Sequence, residues 1–418
     1  QLSIEEAVLQ RRIATDVDDR AGQTLQLAGQ ELRGCPLALQ PVAAAEAGLD
    51  EACLVGGCVR DWLMGVAPHD FDLTTSALPQ QVEDCFSDLR VIGTGLKHGT
   101  VTVIADGEPV EITTYRVDGD YTDGRRPDSV SFTPSLIEDL KRRDITMNAV
   151  AWSPQGVTDP FGGREDIKAQ LIRCVGEPDR RFTEDALRLM RALRFSATLG
   201  FSIDAATAAS LRKNADRLSA VSAERILNEL ERLVCGKNAE RVLLDFADVI
   251  VKVLPLNTAD SSYAAACAHV AQLPADRTLR LAALLEPLGA DGAYAALKAQ
   301  KADNRTCDIA AAVIGEKVVS GLAYAKRLIR CRGYAVAELV AAFRQNSALA
   351  SDIFTAKAQH ACVSLSDLAI NGSDLIAAGF PSTHLLGETL SFLLDRVIDG
   401  KVENERGALL ALALEKMK

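Results

Sequence analysis

Two aspartates one residue apart, Asp70 and Asp72, lie in the run His69-Asp70-Phe71-Asp72-Leu73-Thr74-Thr75. On a strand, such a pair projects from one face, because side chains alternate. Paired carboxylates can hold Mg²⁺, a hard cation that prefers carboxylate and phosphate oxygens. Just upstream runs Leu54-Val55-Gly56-Gly57-Cys58-Val59-Arg60-Asp61. A Gly-Gly turn lets backbone approach a phosphate with no Cβ in the way, and Arg60 suits a phosphate. An Asp-x-Asp alone reads equally well as a solvated turn. Joined to these glycines and this arginine, it reads as metal-assisted attack of a hydroxyl on a nucleoside triphosphate, with pyrophosphate leaving.

Two further segments carry chemistry. In Lys141-Arg142-Arg143-Asp144-Ile145-Thr146-Met147-Asn148-Ala149 the charges stop at an apolar stretch, which anchors them at an element boundary. Arg143 suits a triphosphate and Asp144 a ribose hydroxyl. In Phe182-Thr183-Glu184-Asp185-Ala186-Leu187-Arg188-Leu189-Met190-Arg191-Ala192-Leu193-Arg194-Phe195, helical spacing puts Asp185, Arg188, Arg191 and Arg194 on one face, with Thr183 as a cap. The bland alternative is an ordinary ion-paired helix. The sharper one is a base-reading surface, since Asp accepts from amino groups and Arg donates to ring nitrogens and carbonyls.

These groups need a sheet followed by helices. From Leu37 to about Gly163 short apolar runs alternate with helical stretches. Gly99–Tyr115 reads as a hairpin turning at Asp106-Gly107. Asp118–Asp128 reads as a loop. Val157–Asp166 reads as a tight turn closing this α/β region. Beyond Asp166, apart from a strand-like Leu171–Val175, the chain is Ala/Leu-rich with a period near 3.6, an all-α remainder.

The chain has 418 residues, 48% hydrophobic and 25% charged, and a formal net charge of −11. That length implies more than one core. No apolar run approaches a membrane span, and Gln1–Glu6 shows no secretory signal. Ten scattered cysteines form no Cys-x-x-Cys pair and are not spaced with the five histidines as zinc ligands. They read as reduced thiols of a cytoplasmic protein. Acidity alone argues against nucleic acid, but basic residues cluster at Arg125-Arg126, Arg180-Arg181 and Lys326–Arg332.

Taken together, Gly56–Asp61, Asp70–Asp72, Arg142–Ala149, Asp159-Pro160-Phe161-Gly162-Gly163 and Glu184–Arg188 resemble the ordered motifs of the class II tRNA nucleotidyltransferases, the bacterial CCA-adding enzyme and poly(A) polymerase family. The similarity is dense from about Pro36 to Gly200, and Ile370–Leu375 with Gly400–Glu405 resembles the family's C-terminal tail. The resemblance implies a polymerase-β-like α/β head (33–165), a helical neck (166–235), body (236–350) and tail (351–418), after an unexplained extension (1–32). It implies transfer of CTP- and ATP-derived nucleotides to the tRNA 3′ end, with Mg²⁺ on Asp70 and Asp72. It places Gly57, Arg60 and Arg143 on the nucleotide, Asp185 and Arg188 as an amino-acid template, Arg191 and Arg194 as further nucleotide-binding residues, and Glu111 as the candidate third carboxylate. Cys58 stands where Ala is usual, and Leu281–Gly289 lacks the His-Asp hydrolase motif of some relatives.

Within the family, CC-adding enzymes are expected to lack the loop that this chain keeps at Asp118–Asp128, which favours full CCA addition; an A-adding relative stays an alternative. The acidic, tail-bearing chain favours tRNA over poly(A) synthesis. A small-molecule nucleotidyltransferase would need neither the Glu184–Arg188 segment nor the long helical remainder. A non-catalytic RNA-binding protein would not need both acids.

Overall fold

Short apolar strands flanked by Gly and Asp assemble into a mixed seven-stranded sheet, order β3-β4-β5-β2-β1-β8-β9. Its strands are β1 (Cys53–Val55), β2 (Asp72–Thr75), β3 (Arg90–Ile92), β4 (Thr100–Ala105), β5 (Glu108–Thr114), β8 (Ala151–Ser153) and β9 (Gly156–Thr158). The computed structural model describes residues 51–417 apart from His69, Thr94, Asp106-Gly107, 120–128 and Ser320. The extension 1–32, the hairpin turn itself and most of the expected loop therefore lie outside the described residues.

Alternation along β1 buries both faces of the sheet. Leu54 joins Leu73, Val101, Val103, Ile112 and Trp152 on one side. Cys53 and Val55 join Leu140, Ala149 and Ala151 on the other. The first side is packed by helices α1 (Gly57–Leu63) and α2 (Pro79–Cys85), through Cys58, Val59 and Val82. The second is packed by α3 (Leu136–Lys141), whose N-cap Ser135 accepts from the Glu138 amide. A separate ladder joins β6 (Arg116–Asp118) to β7 (Val130–Phe132) at the two ends of the loop segment. The turn expected at 157–166 is an aspartate cap: Asp159 accepts from the amides of Gly163 (2.8 Å) and Arg164 (2.9 Å), starting α4 (Gly163–Lys168).

After β10 (Leu171–Ile172) come α5 (Pro178–Glu184) and α6 (Leu187–Leu199). A two-residue strand, β11 (Ser202–Ile203), runs parallel to β10 and precedes α7 (Ala205–Lys213). The segment Phe182–Phe195 is thus not one helix. Asp185 is extended (φ −141°, ψ 107°), and its carboxylate accepts from the Leu187 amide at 3.0 Å, a local bond that competes with helix. Thr183 does not cap; its hydroxyl donates back to the Asp179 carbonyl inside α5.

Contacts divide the chain into two units, meeting between Arg225 and Ile226. In the second, every regular element among the described residues is helical. Asp260, Asp276 and Asp303 cap the helices Ser261–Gln272, Arg277–Leu285 and Asn304–Gly315. Arg280 is buried, and its guanidinium donates to the carbonyls of Val234, Gly236, Leu273 and Pro274, closing the C-terminal ends of two helices. His269 bridges the Glu286 carboxylate (2.9 Å) and the Phe343 carbonyl (2.8 Å), while Arg344 donates to the same Glu286 (2.7 Å). The 22-residue helix Leu322–Phe343 is broken once, at Gly333 (φ 78°, ψ 163°), a region open only to glycine.

The second tail-like segment meets the residues just before the first. Asn371 caps the helix Gly372–Ala377, and Asn404 donates to the Asp367 carbonyl and accepts from the Ala369 amide. They frame a small core of Leu375, Leu393, Leu394, Ile398 and Leu409.

Candidate active site

Asp72 is the first residue of β2, and Asp70 stands two residues before it, on the bend that leads into the strand. Both are exposed. β2 pairs in parallel with β5, which sets Glu111 directly beside Asp72 on the same sheet face. The protein around Asp72 desolvates its carboxyl enough to lift it above the ordinary range, Arg143 pulls it down, and Asp70 pushes it up again. Among the described residues no three His, Cys, Asp or Glu side chains form a preformed metal cage. An open pair of hard carboxylates still fits Mg²⁺, which takes one or two carboxylates and completes its shell with water and phosphate oxygens.

The glycine turn borders this pair. Gly56 has φ 82°, and a Cβ there would lie 3.3 Å from an Arg143 terminal nitrogen and 3.6 Å from an Asp72 carboxylate oxygen. Only glycine lets β1 turn into α1, whose first residue is Gly57, this close to both groups. Arg60, one turn along α1, donates to Asp61 Oδ1 (2.6 and 2.8 Å) and to Asn148 Oδ1 (2.9 Å). Its guanidinium carbon is 5.3 Å from the centre of the Phe195 ring. Arg191 (5.5 Å) and Arg194 (3.8 Å) approach the same ring, so three cations surround one aromatic side chain.

Arg143 leaves its Nε buried with no hydrogen-bond partner among the described residues. Burial lowers its pKa from the ordinary arginine value; Asp139 and Asp72 oppose this, and Arg142 adds to it. Asp144, next in sequence, is engaged within the protein through both oxygens: it accepts from the Ile145 amide (2.9 Å) and from Arg191 Nε (2.7 Å). Although burial works the other way, Arg191 and Arg188 hold its carboxyl down at about 2.

Asp185 and Arg188 do not pair with each other through their side chains in the manner of an i,i+3 ion pair. Asp185 accepts from Arg225 (2.8 Å), and Arg188 donates to Glu184 (2.8 Å) and to the Arg142 carbonyl (3.0 Å). The structure therefore brings together Gly57, Arg60, Asp70, Asp72 and Arg143 where the interior strand β1 ends and β2 begins, and Asp144, Arg191 and Arg194 along α6. Reasoning from the sequence missed Asn148, Phe195, Arg225 and Asp139. Only Asp139 had a signal, its i,i+4 spacing to Arg143. The basic group at 326–332 is largely neutralised locally: Arg327 pairs with Asp399, Arg330 with Asp395, and Arg332 with Glu316 at 4.0 Å.

The sheet and its acid pair define a nucleotidyltransferase head. Residues 52–173 match the family described as Poly A polymerase head domain, and residues 332–413 match tRNA nucleotidyltransferase domain 2. The CCA-adding enzyme of Geobacillus thermodenitrificans is 38% identical over 380 residues, covering 88% of this chain and 94% of that protein. That of Limosilactobacillus fermentum is 38% identical over 386 residues, covering 89% and 94%. A Bacillus stearothermophilus CCA-adding enzyme solved in complex with CTP superposes with a TM-score of 0.72 at 31% identity, over 96% of this chain and 98% of that one. The chain belongs to the class II tRNA nucleotidyltransferases, the family of the CCA-adding enzymes.

Proposed function

We propose that this protein adds the 3′-terminal CCA to tRNA, using CTP and ATP. The observation that carries this reading is the Asp70–Asp72 pair beside the Gly56 turn and Arg143, in a chain that spans 94% of a curated CCA-adding relative. The tRNA 3′ oxygen attacks the α-phosphorus, the new P–O bond replaces the bond to the β-phosphate oxygen, the hydroxyl proton is lost, and pyrophosphate leaves. Asp70 and Asp72, with Glu111 in register, would hold Mg²⁺, which when bound acidifies the attacking hydroxyl and offsets charge on the leaving group. Arg143 and Arg60 orient the triphosphate. Asp185 and Arg188 read the base edge once they exchange their internal partners for it. Arg191 and Arg194 hold the nucleotide's flank. Asp144 fixes Arg191, and reaches a ribose hydroxyl only if that pair opens. The nine described cysteines are free thiols, which suits a cytoplasmic setting.

The test is tRNA lacking its terminal CCA, incubated with CTP, ATP and Mg²⁺. Extension by three nucleotides is expected, and no extension overturns the reading. Leaving out CTP or ATP separates full addition from CC, A or poly(A) addition.

A further inference from the structure

Asp139 is a fully buried carboxylate that the reaction as written does not use. It projects from α3 onto the sheet face that carries Asp72 and Glu111. Thr74, two residues after Asp72, donates its hydroxyl to the Thr113 carbonyl (3.0 Å) and lies 3.5 Å from Asp139 Oδ2. Oδ2 is also 3.5 Å from the Arg143 terminal nitrogen NH2. Oδ1 accepts from Arg142 Nε (2.9 Å) and NH2 (2.7 Å), and from the Arg116 amide at the start of β6 (3.3 Å). Arg142 in turn reaches Asp118 at the end of β6 (3.9 Å).

One buried anion thus joins the acid-bearing strand, the two arginines and the base of the loop segment. Two guanidiniums face this one carboxylate, and Arg142 is shared with Asp118, so Arg143 is held through Asp139 alone of these two acids. A buried charge left by removing its partner is costly, which makes Asp139 the fixed point and the arginines the groups it aims. The geometry points to Asp139 as a positioning residue that holds Arg143 on the triphosphate. This rests on the reading of Arg143 as a nucleotide ligand.

The experiment uses the full chain carrying Asp139→Asn, which keeps the shape, removes the charge and turns an amide toward the guanidiniums. Expected are a rise of about tenfold in the KM for CTP and in its Kd measured without tRNA, a KM for tRNA within about twofold, and no further loss when Asp139→Asn is added to Arg143→Ala. A purely structural role would lower kcat with the folded fraction, leave the KM for CTP unchanged and add fully to Arg143→Ala; either result overturns the proposal. If Asp139→Asn does not fold, Asp139→Glu keeps the charge but displaces it by one methylene, and the same KM split is expected. Unfolding of both variants assigns a structural role and also overturns it. Failure of the underlying reading looks different: wild-type protein would not bind CTP, or Arg143→Ala would leave CTP affinity intact.

Discussion

Asp72 and Asp70 stand open on a bend and a strand end, where little packing depends on them. Asp70→Ala should therefore leave the thermal unfolding midpoint nearly unchanged while transfer falls about a thousandfold. Retained activity in the tRNA-extension assay would refute its role. Arg188→Ala should relax the preference for CTP and ATP over GTP and UTP more than it slows pyrophosphate release; an unchanged preference counts against the template reading. Asp144 gives a prediction about pH. Its folded pKa of about 2 lies below its ordinary 3.8, so its contribution is complete above the unfolded value and is lost as pH falls from about 4 toward 2. Asp144→Asn should cost about 2 kcal/mol near neutrality, and the gap to wild type should close across that acid window in denaturant titrations. These residue roles differ in how readily the sequence shows them. Glycines, paired acids and arginines announce phosphate chemistry by type alone. Phe195 and Asn148 do not, because what matters about them is the arginine that folding brings against each.

At the scale of elements, the His269 bridge is a protonation state written in geometry. The Glu286 carboxylate and the Phe343 carbonyl both accept, so the imidazole must carry a proton on each nitrogen. The bond to Glu286 raises its pKa against the effect of burial and of Arg344. A raised folded pKa places the stabilisation fully below the ordinary 6.5, and it is lost as pH rises through the folded value. His269→Gln should lower the unfolding midpoint most at pH 6 or below, with the difference shrinking in alkaline buffer; a pH-independent difference would contradict the bridge. The hairpin pairing of β4 with β5 was legible because alternation along each strand is a local signal. The break at Asp185 was not. A helical period continues through it, while the deciding bonds are a short-range cap and a contact with Arg225, forty positions away. The strand β11 was invisible for a similar reason, since two residues become a strand only because β10 lies alongside.

For the whole molecule, a net charge of −11 must coexist with a polyanionic substrate. The arginines at 327 and 330 are held by Asp399 and Asp395, so they are poor candidates for counterion release. Arg330→Ala should change tRNA affinity by less than about twofold at fixed salt and cost no more than about 1 kcal/mol of stability; a large affinity loss would move the RNA surface there. The all-α character of the second unit followed from period and composition, but its joints did not, because Gly333 looks like any glycine in a helical run. Its consequence concerns insertions. Two rods share an elbow whose angle is fixed by one residue's dihedrals. Adding a single residue to either rod would turn everything beyond it by about 100°, so this stretch should tolerate substitutions on its exposed face far more readily than any change in length.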